Sequence, residues 1–156
     1  MIEIEIPGWA RPLQIRSVVL DYNGTIARDG TLLPGAAERI RALSRQAAVY
    51  VLTADTYGTV EAQCAGLGVT VKTFPRAGAA ACKEEIVRAL GEGVCAVGNG
   101  LNDIPMCDAA ELSIAVLERE GVCAALLSHV DVLAAGPEDA LDLLLRKDRL
   151  RATLRS

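Results

Sequence analysis

From residue 17 onward, runs of apolar residues alternate with segments of helical periodicity. The pattern predicts strands near 17–21, 49–53, 69–72, 94–98, 112–116 and 130–133, and helices near 35–46, 57–66, 79–90, 103–109, 120–127 and 137–145. Strands separated by helices of about 10 residues imply right-handed βαβ crossovers, and so an α/β fold with a parallel sheet covered on both faces. Upstream, Met1-Ile2-Glu3-Ile4-Glu5-Ile6 alternates charge with isoleucine. After a Pro7-Gly8 turn, a short strand near 12–15 is placed to pair back as a hairpin. Pro34-Gly35, Thr56 and Pro137-Glu138-Asp139 supply helix starts, and Gly66, Gly68 and Gly91 supply ends. The pattern contains no internal repeat or linker. The expectation is one domain over 1–156: an N-terminal hairpin (1–16), a core (17–145) and a C-terminal helix or tail (146–156).

Composition narrows the function. Hydrophobic residues make up 51% of the chain but aromatics only 3%, which suits helices packed on β-branched strands. The net charge of −4 lacks the positive field that drives nucleic-acid binding. No apolar run approaches the about 20 residues of a membrane span. The N-terminus has neither a basic start nor a signal-length apolar run. These features predict a cytoplasmic protein with no nucleic-acid or membrane partner. The five cysteines (64, 82, 95, 107 and 123) form no Cys-x-x-Cys pair and read as small core residues in a reducing compartment. With His129 the only histidine, zinc sites of the Cys/His kind and histidine-based triads lack parts. The basic residues Arg146, Lys147, Arg149, Arg151 and Arg155 read as a solvated helix end, with a partner-binding tail as the alternative.

In an open parallel sheet, ligands gather at the carboxyl ends of the strands. Four polar features fall there or at a helix start: Asp21 after Val18-Val19-Leu20, Thr53 after Val49-Tyr50-Val51-Leu52, Lys83, and Gly98-Asn99-Gly100-Leu101-Asn102-Asp103. Each has an ordinary reading as a cap or turn residue. As an ordered set they assemble the parts of acyl-phosphate chemistry. A carboxylate can attack phosphorus when a divalent cation and oriented donors offset the repulsion between anions. Asp21 is the candidate nucleophile. The Asn23 carbonyl, Asn99 and Asp103 complete an oxygen shell with it that suits Mg²⁺. Thr53 and the backbone N–H groups from Tyr22 to Gly24 are candidate phosphate donors, and Lys83 supplies a point charge. The Gly98-x-Gly100 pair is not a dinucleotide loop, because Asp103 stands where a third glycine belongs.

These residues resemble the haloacid dehalogenase (HAD) superfamily, and within it the small soluble relatives of the P-type ATPase phosphorylation domain. Asp21-Tyr22-Asn23-Gly24-Thr25 is similar to its first motif, Leu52-Thr53-Ala54-Asp55 to its second, Lys83 to its third and Gly98 to Asp103 to its fourth. The resemblance spans about 17–133 and implies a three-layer Rossmann-like fold. It also implies Mg²⁺ dependence, an aspartyl-phosphate on Asp21, and phosphate contacts from Thr53, Ala54 and Lys83.

Two positions depart from the family pattern. Asn23 stands where family phosphatases carry an acid-base aspartate. Losing such a group typically removes about 10²–10⁴-fold of rate, or roughly 3–5 kcal/mol of barrier. Asn99 stands where a metal-binding aspartate is common. Between Asp21 and the helix at 35 there is room only for a small flap, Ala27 to Leu33, and none for a cap domain. An open site suits macromolecular phosphoryl groups unless a second subunit closes it. The leading expectation is a phosphohydrolase or phosphoryl-transfer domain with slow turnover. The alternatives are a non-enzymatic binding module and, less well matched, a receiver domain.

Overall fold

The computed structural model describes residues 1–55 and 58–156, so the helix start expected at Thr56 and Tyr57 lies outside the described residues. Two short strands, β1 (Ile2–Ile4) and β2 (Leu13–Ile15), form the N-terminal antiparallel hairpin. Six strands then make the central sheet: β3 (Ser17–Asp21), β6 (Ala48–Thr53), β7 (Thr70–Thr73), β8 (Val94–Gly98), β9 (Leu112–Val116) and β10 (Val132–Ala134). Their order is β10-β9-β8-β3-β6-β7, and every pairing is parallel. Between β3 and the first helix, β4 (Ala27–Arg28) and β5 (Thr31–Leu32) form the small flap.

The helices of the α/β/α arrangement are α1 (Pro34–Leu43), α2 (Thr59–Gln63), α3 (Ala79–Leu90), α4 (Ile104–Ala109), α5 (Pro137–Leu145) and α6 (Lys147–Leu154). Side chains alternate across the sheet, so Val18 and Leu20 of β3 join a core with Ile40 of α1 and Leu141 of α5. Val19 points the other way, into a core with Val87 of α3 and Met106 of α4. A strand buried on both faces reads as an unbroken apolar run, which is why β3 is legible in the sequence.

Two expectations are corrected. The predicted helix at 120–127 is a loop followed by a 3-10 turn at Ala124–His129. Gly121 (φ +84°) interrupts the helical backbone, and the Cys123 N–H is drawn to the Asn99 carbonyl. The helix predicted to begin at Asp103 begins instead as a 3-10 turn at Leu101–Asp103 that leads into α4. The basic C-terminal segment keeps Arg146 and Arg149 largely exposed, as expected, while its apolar side packs back onto the chain. Leu150 is fully buried, Arg151 donates to the Glu5 carbonyl at 2.8 Å, and the Trp9 indole donates to the Leu154 carbonyl at 3.2 Å.

The chain leaves β3 for β6 and β7 on one side, then crosses to β8, β9 and β10 on the other. The strand order therefore reverses at β3, and the crevice at its carboxyl end is where this topology gathers ligands. Among the described residues, no helix is long and apolar enough to cross a membrane.

Candidate active site

Asp21 is the last residue of β3, Thr53 the last of β6 and Gly98 the last of β8. Because β6 and β8 flank β3 in register, these three ends lie side by side. Lys83 reaches them from the second turn of α3, with its side chain only 4% exposed. Its Nζ donates to Asp21 Oδ1 at 2.8 Å, to Asp103 Oδ1 at 2.8 Å and to Asn102 Oδ1 at 2.9 Å. Two buried carboxylates thus share one ammonium.

That imbalance sets the electrostatics. Burial and the nearby Asp103 push the Asp21 carboxyl up to about 6, against the opposing pull of Lys83 and the Thr25 hydroxyl. Burial works against the charge on Lys83, but Asp21 and Asp103 outweigh it and hold the ammonium above its ordinary range. Lys83 is therefore a fixed cation, and Asp21 is a carboxylate whose charge is under-compensated.

Asp103 sits differently from the cation ligand expected of it. Its Oδ1 takes Lys83, and its Oδ2 accepts the backbone N–H groups of Asn99 (3.0 Å) and Gly100 (2.9 Å). With no exposure and both oxygens engaged, it fixes the turn after β8 and the position of Lys83. Gly98 makes this possible, since a Cβ there would lie 2.5 Å from the Asp103 carboxyl carbon.

The oxygens facing Asp21 come from Asn99 and Thr25. The Asn99 amide donates through Nδ2 to the Gly121 carbonyl at 3.2 Å, which turns Oδ1 toward Thr25 Oγ1, also at 3.2 Å. The same hydroxyl lies 3.1 Å from Asp21 Oδ2. One hydroxyl proton therefore serves two acceptors, and this surplus of oxygen lone pairs fits a hard cation. Among the described residues there is no cluster of three or more His, Cys, Asp or Glu side chains suited to a metal. The donor set therefore carries less negative charge than an all-carboxylate site. Gly24 (φ +77°) packs so closely here that a Cβ would fall 2.3 Å from Asn99 Nδ2.

Asn23 occupies the acid-base position but faces the flap, where its Oδ1 accepts the Gly30 N–H at 3.1 Å. Its Nδ2 hydrogens are the donors left to offer the cleft. Tyr22 is buried, with its hydroxyl donating to the Gly30 carbonyl at 3.0 Å, and burial pushes its phenol up to about 12. The Gly24 N–H, expected as a phosphate donor, is instead bonded to the Ala27 carbonyl at 2.8 Å, because the turn into the flap closes on it. Thr53 Oγ1 accepts the Asp55 N–H at 3.1 Å, which leaves its own proton for the cleft. Ala54 lines the same cleft.

The sequence reading missed the surrounding wall. The cleft has a volume of about 580 Å³ and includes Phe74, Ala79, Ala80 and Leu101. Asn102 fell within the Gly98 to Asp103 motif but was given no site role; its Oδ1 accepts from Lys83. The 117–121 loop was also missed: Gly121 orients Asn99, while Glu118 pairs with Arg28 of the flap. The cysteines take no part; burial pushes the Cys107 thiol up to about 12 and drives Cys95 up as well. His129 pairs with Asp108 at 2.9 Å.

Comparison with known proteins bears on this geometry. A family model for haloacid dehalogenase-like hydrolases matches residues 5–111. An uncharacterized protein of Methanocaldococcus jannaschii is 40% identical over 62 residues, which cover 40% of this chain and 67% of that protein. Among solved structures, the chain is similar to the cobalt-bound deoxy-D-mannose-octulosonate 8-phosphate phosphatase of Haemophilus influenzae. The identity is 14% and the TM-score 0.71, covering 92% of this chain and 95% of that one. The corresponding enzyme of Moraxella catarrhalis, solved with magnesium, phosphate and a KDO molecule, gives 16% identity and a TM-score of 0.70, covering 90% and 94%. A HAD family hydrolase of Streptomyces avermitilis gives 21% identity and a TM-score of 0.65, covering 82% and 81%. At these identities the solved structures establish the fold.

Proposed function

The chain belongs to the haloacid dehalogenase-like hydrolases, and we propose that it transfers a phosphoryl group from a phosphate monoester to Asp21 and releases that group slowly. The observation that carries this reading is Lys83 Nζ, 2.8 Å from Asp21 Oδ1 at the carboxyl end of the central strand. Phosphatases among proteins of the same fold support the substrate class.

In this reading Asp21 attacks phosphorus while the bond from phosphorus to the leaving oxygen breaks. Thr53 Oγ–H and the Lys83 ammonium hold the phosphoryl oxygens in a partly closed cleft, where such donors act more strongly than in water. The leaving oxygen needs a proton that the Asn23 amide does not give up, so water supplies it. For the same reason no base at position 23 activates water against the aspartyl-phosphate. Magnesium fits the oxygen set: Asp21, the Asn23 backbone carbonyl and Asn99 would hold it, with Asp103 behind them as the anchor of Lys83. When bound, the ion would supply positive charge that offsets the repulsion between anions.

A second reading, a binding module without turnover, draws on the Asn23 side chain being tied to Gly30. One experiment separates the two. The protein is incubated with magnesium and acetyl phosphate, then followed by mass spectrometry and phosphate release. The expected result is a phosphoryl adduct that Asp21→Asn abolishes, and an about 10²–10⁴-fold faster release in Asn23→Asp. Absence of adduct in the parent together with no gain in Asn23→Asp leaves the binding module.

A further inference from the structure

The cleft at Asp21 opens into a second one of about 760 Å³, sharing Tyr22, Asn23, Thr53 and Ala54 with it. If a phosphoryl group is held at Asp21, its organic part has two directions. One is the wall of Phe74, Ala80 and Leu101. The other is the second cleft, where Thr53, Thr59, Asn23 and the Gly30 backbone line a polar surface.

Arg76, on the segment between β7 and α3, is the cation that lines this second space. Among the described residues it makes no ion pair with any carboxylate, whereas Lys83 is engaged by two. Asp55 lines the same cleft, but its Oδ2 accepts from Thr59 Oγ1 at 2.5 Å and from the Val60 N–H at 3.1 Å, toward the start of α2. Pro75 immediately before Arg76 limits the backbone freedom of its approach. A planar guanidinium at the wall of a polar cleft matches a carboxylate or a phosphate, either of which it can bind with two parallel hydrogen bonds; with the phosphate held at Asp21, a carboxylate is the group left for Arg76.

We infer that Arg76 is a specificity-determining residue and that the protein takes a small phosphate monoester carrying a carboxylate, with the phosphate at Asp21 and the carboxylate at Arg76. This rests on the phosphoryl-transfer reading and goes beyond it by naming the substrate class. Each cleft by itself falls within the range of a small-molecule site, about 300–1,000 Å³.

The test is a binding measurement in the Asp21→Asn background, where the ester is not consumed. Titration calorimetry in magnesium compares 3-phosphoglycerate, which has the carboxylate, with glycerol 3-phosphate, which does not. The expected result is about ten- to a hundredfold tighter binding of the carboxylate ester, the effect of one charge-assisted pair. Adding Arg76→Ala collapses that difference, and Arg76→Lys restores part of it. If both esters bind alike, or if the difference survives Arg76→Ala, the role of Arg76 is overturned while the phosphate site stands. If neither ester binds, the phosphate site itself is overturned, and this inference with it.

Discussion

Two buried carboxylate centres in this protein have opposite charge balances. At the carboxyl edge of the sheet, Asp21 and Asp103 share the single ammonium of Lys83. On the helical face, Asp142 of α5 is approached by three guanidiniums: Arg39 of α1 at 3.0 Å, Arg149 of α6 at 3.6 Å and Arg146 at 3.8 Å. Both carboxylates are largely buried, at 13% side-chain exposure for Asp21 and 10% for Asp142. The Asp142 centre has a surplus of donors and ties three helices together. The Asp21 centre is short of positive charge, and such a deficit is stable only because the backbone around it is fixed by other bonds. Over-satisfied charge marks a structural joint; under-satisfied charge marks a place prepared for something cationic or reactive.

Removing the shared cation is the strongest way to sharpen the contrast. Lys83→Met leaves two carboxylates facing one another without a counter-charge. It is expected to lower stability by about 3–5 kcal/mol and formation of the Asp21 adduct by about 10²–10³-fold. Urea unfolding and mass spectrometry read the two effects, and an unchanged adduct rate would break the comparison. At the other centre, Asp142→Asn still hydrogen-bonds but no longer gathers the guanidiniums. It should cost about 1–3 kcal/mol while leaving adduct formation at the parental rate; a parallel loss of activity would show that the two centres are coupled.

The smallest effect is a pH dependence. Burial and the nearby Asp103 push the Asp21 carboxyl of chelator-treated protein up to about 6, from its ordinary value of 3.8. Between those values the folded state holds a proton that the unfolded state has released, so stability falls as pH rises through this window and is regained on acidification. Thermal unfolding at pH 5 and pH 7 should differ by about 1 kcal/mol in favour of pH 5 from this group alone. Asp21→Asn lacks that component, so the difference between the two proteins isolates it. If parent and variant share one pH profile, Asp21 is not under-compensated.

Much of the site was legible because sequence patterns mark strand ends. Asp21 and Thr53 each close an apolar run, and the topology brings such ends together whatever the loops do. The roles within the site were less legible. Asp103 read as a cation ligand, yet its oxygens are taken by Lys83 and by two N–H groups of its own turn, a choice set by the backbone path after Gly98. Gly24 read as a phosphate donor, yet its N–H closes the turn into the flap. The helix expected at 120–127 failed because apolar periodicity does not report that Gly121 and Cys123 must reach Asn99.

The chain by itself determined the parallel α/β sheet, the place of the flap and the identity of the residues at the carboxyl edge. These follow from local periodicity and from which side chains must leave water, and both are written along the sequence. Tertiary structure alone decided which oxygens remain free, which way the Asn23 and Asn99 amides turn, and that one lysine serves two carboxylates. Those outcomes depend on hydrogen bonds between segments distant in sequence, and each donor commits to a partner only once the strands have set the distances.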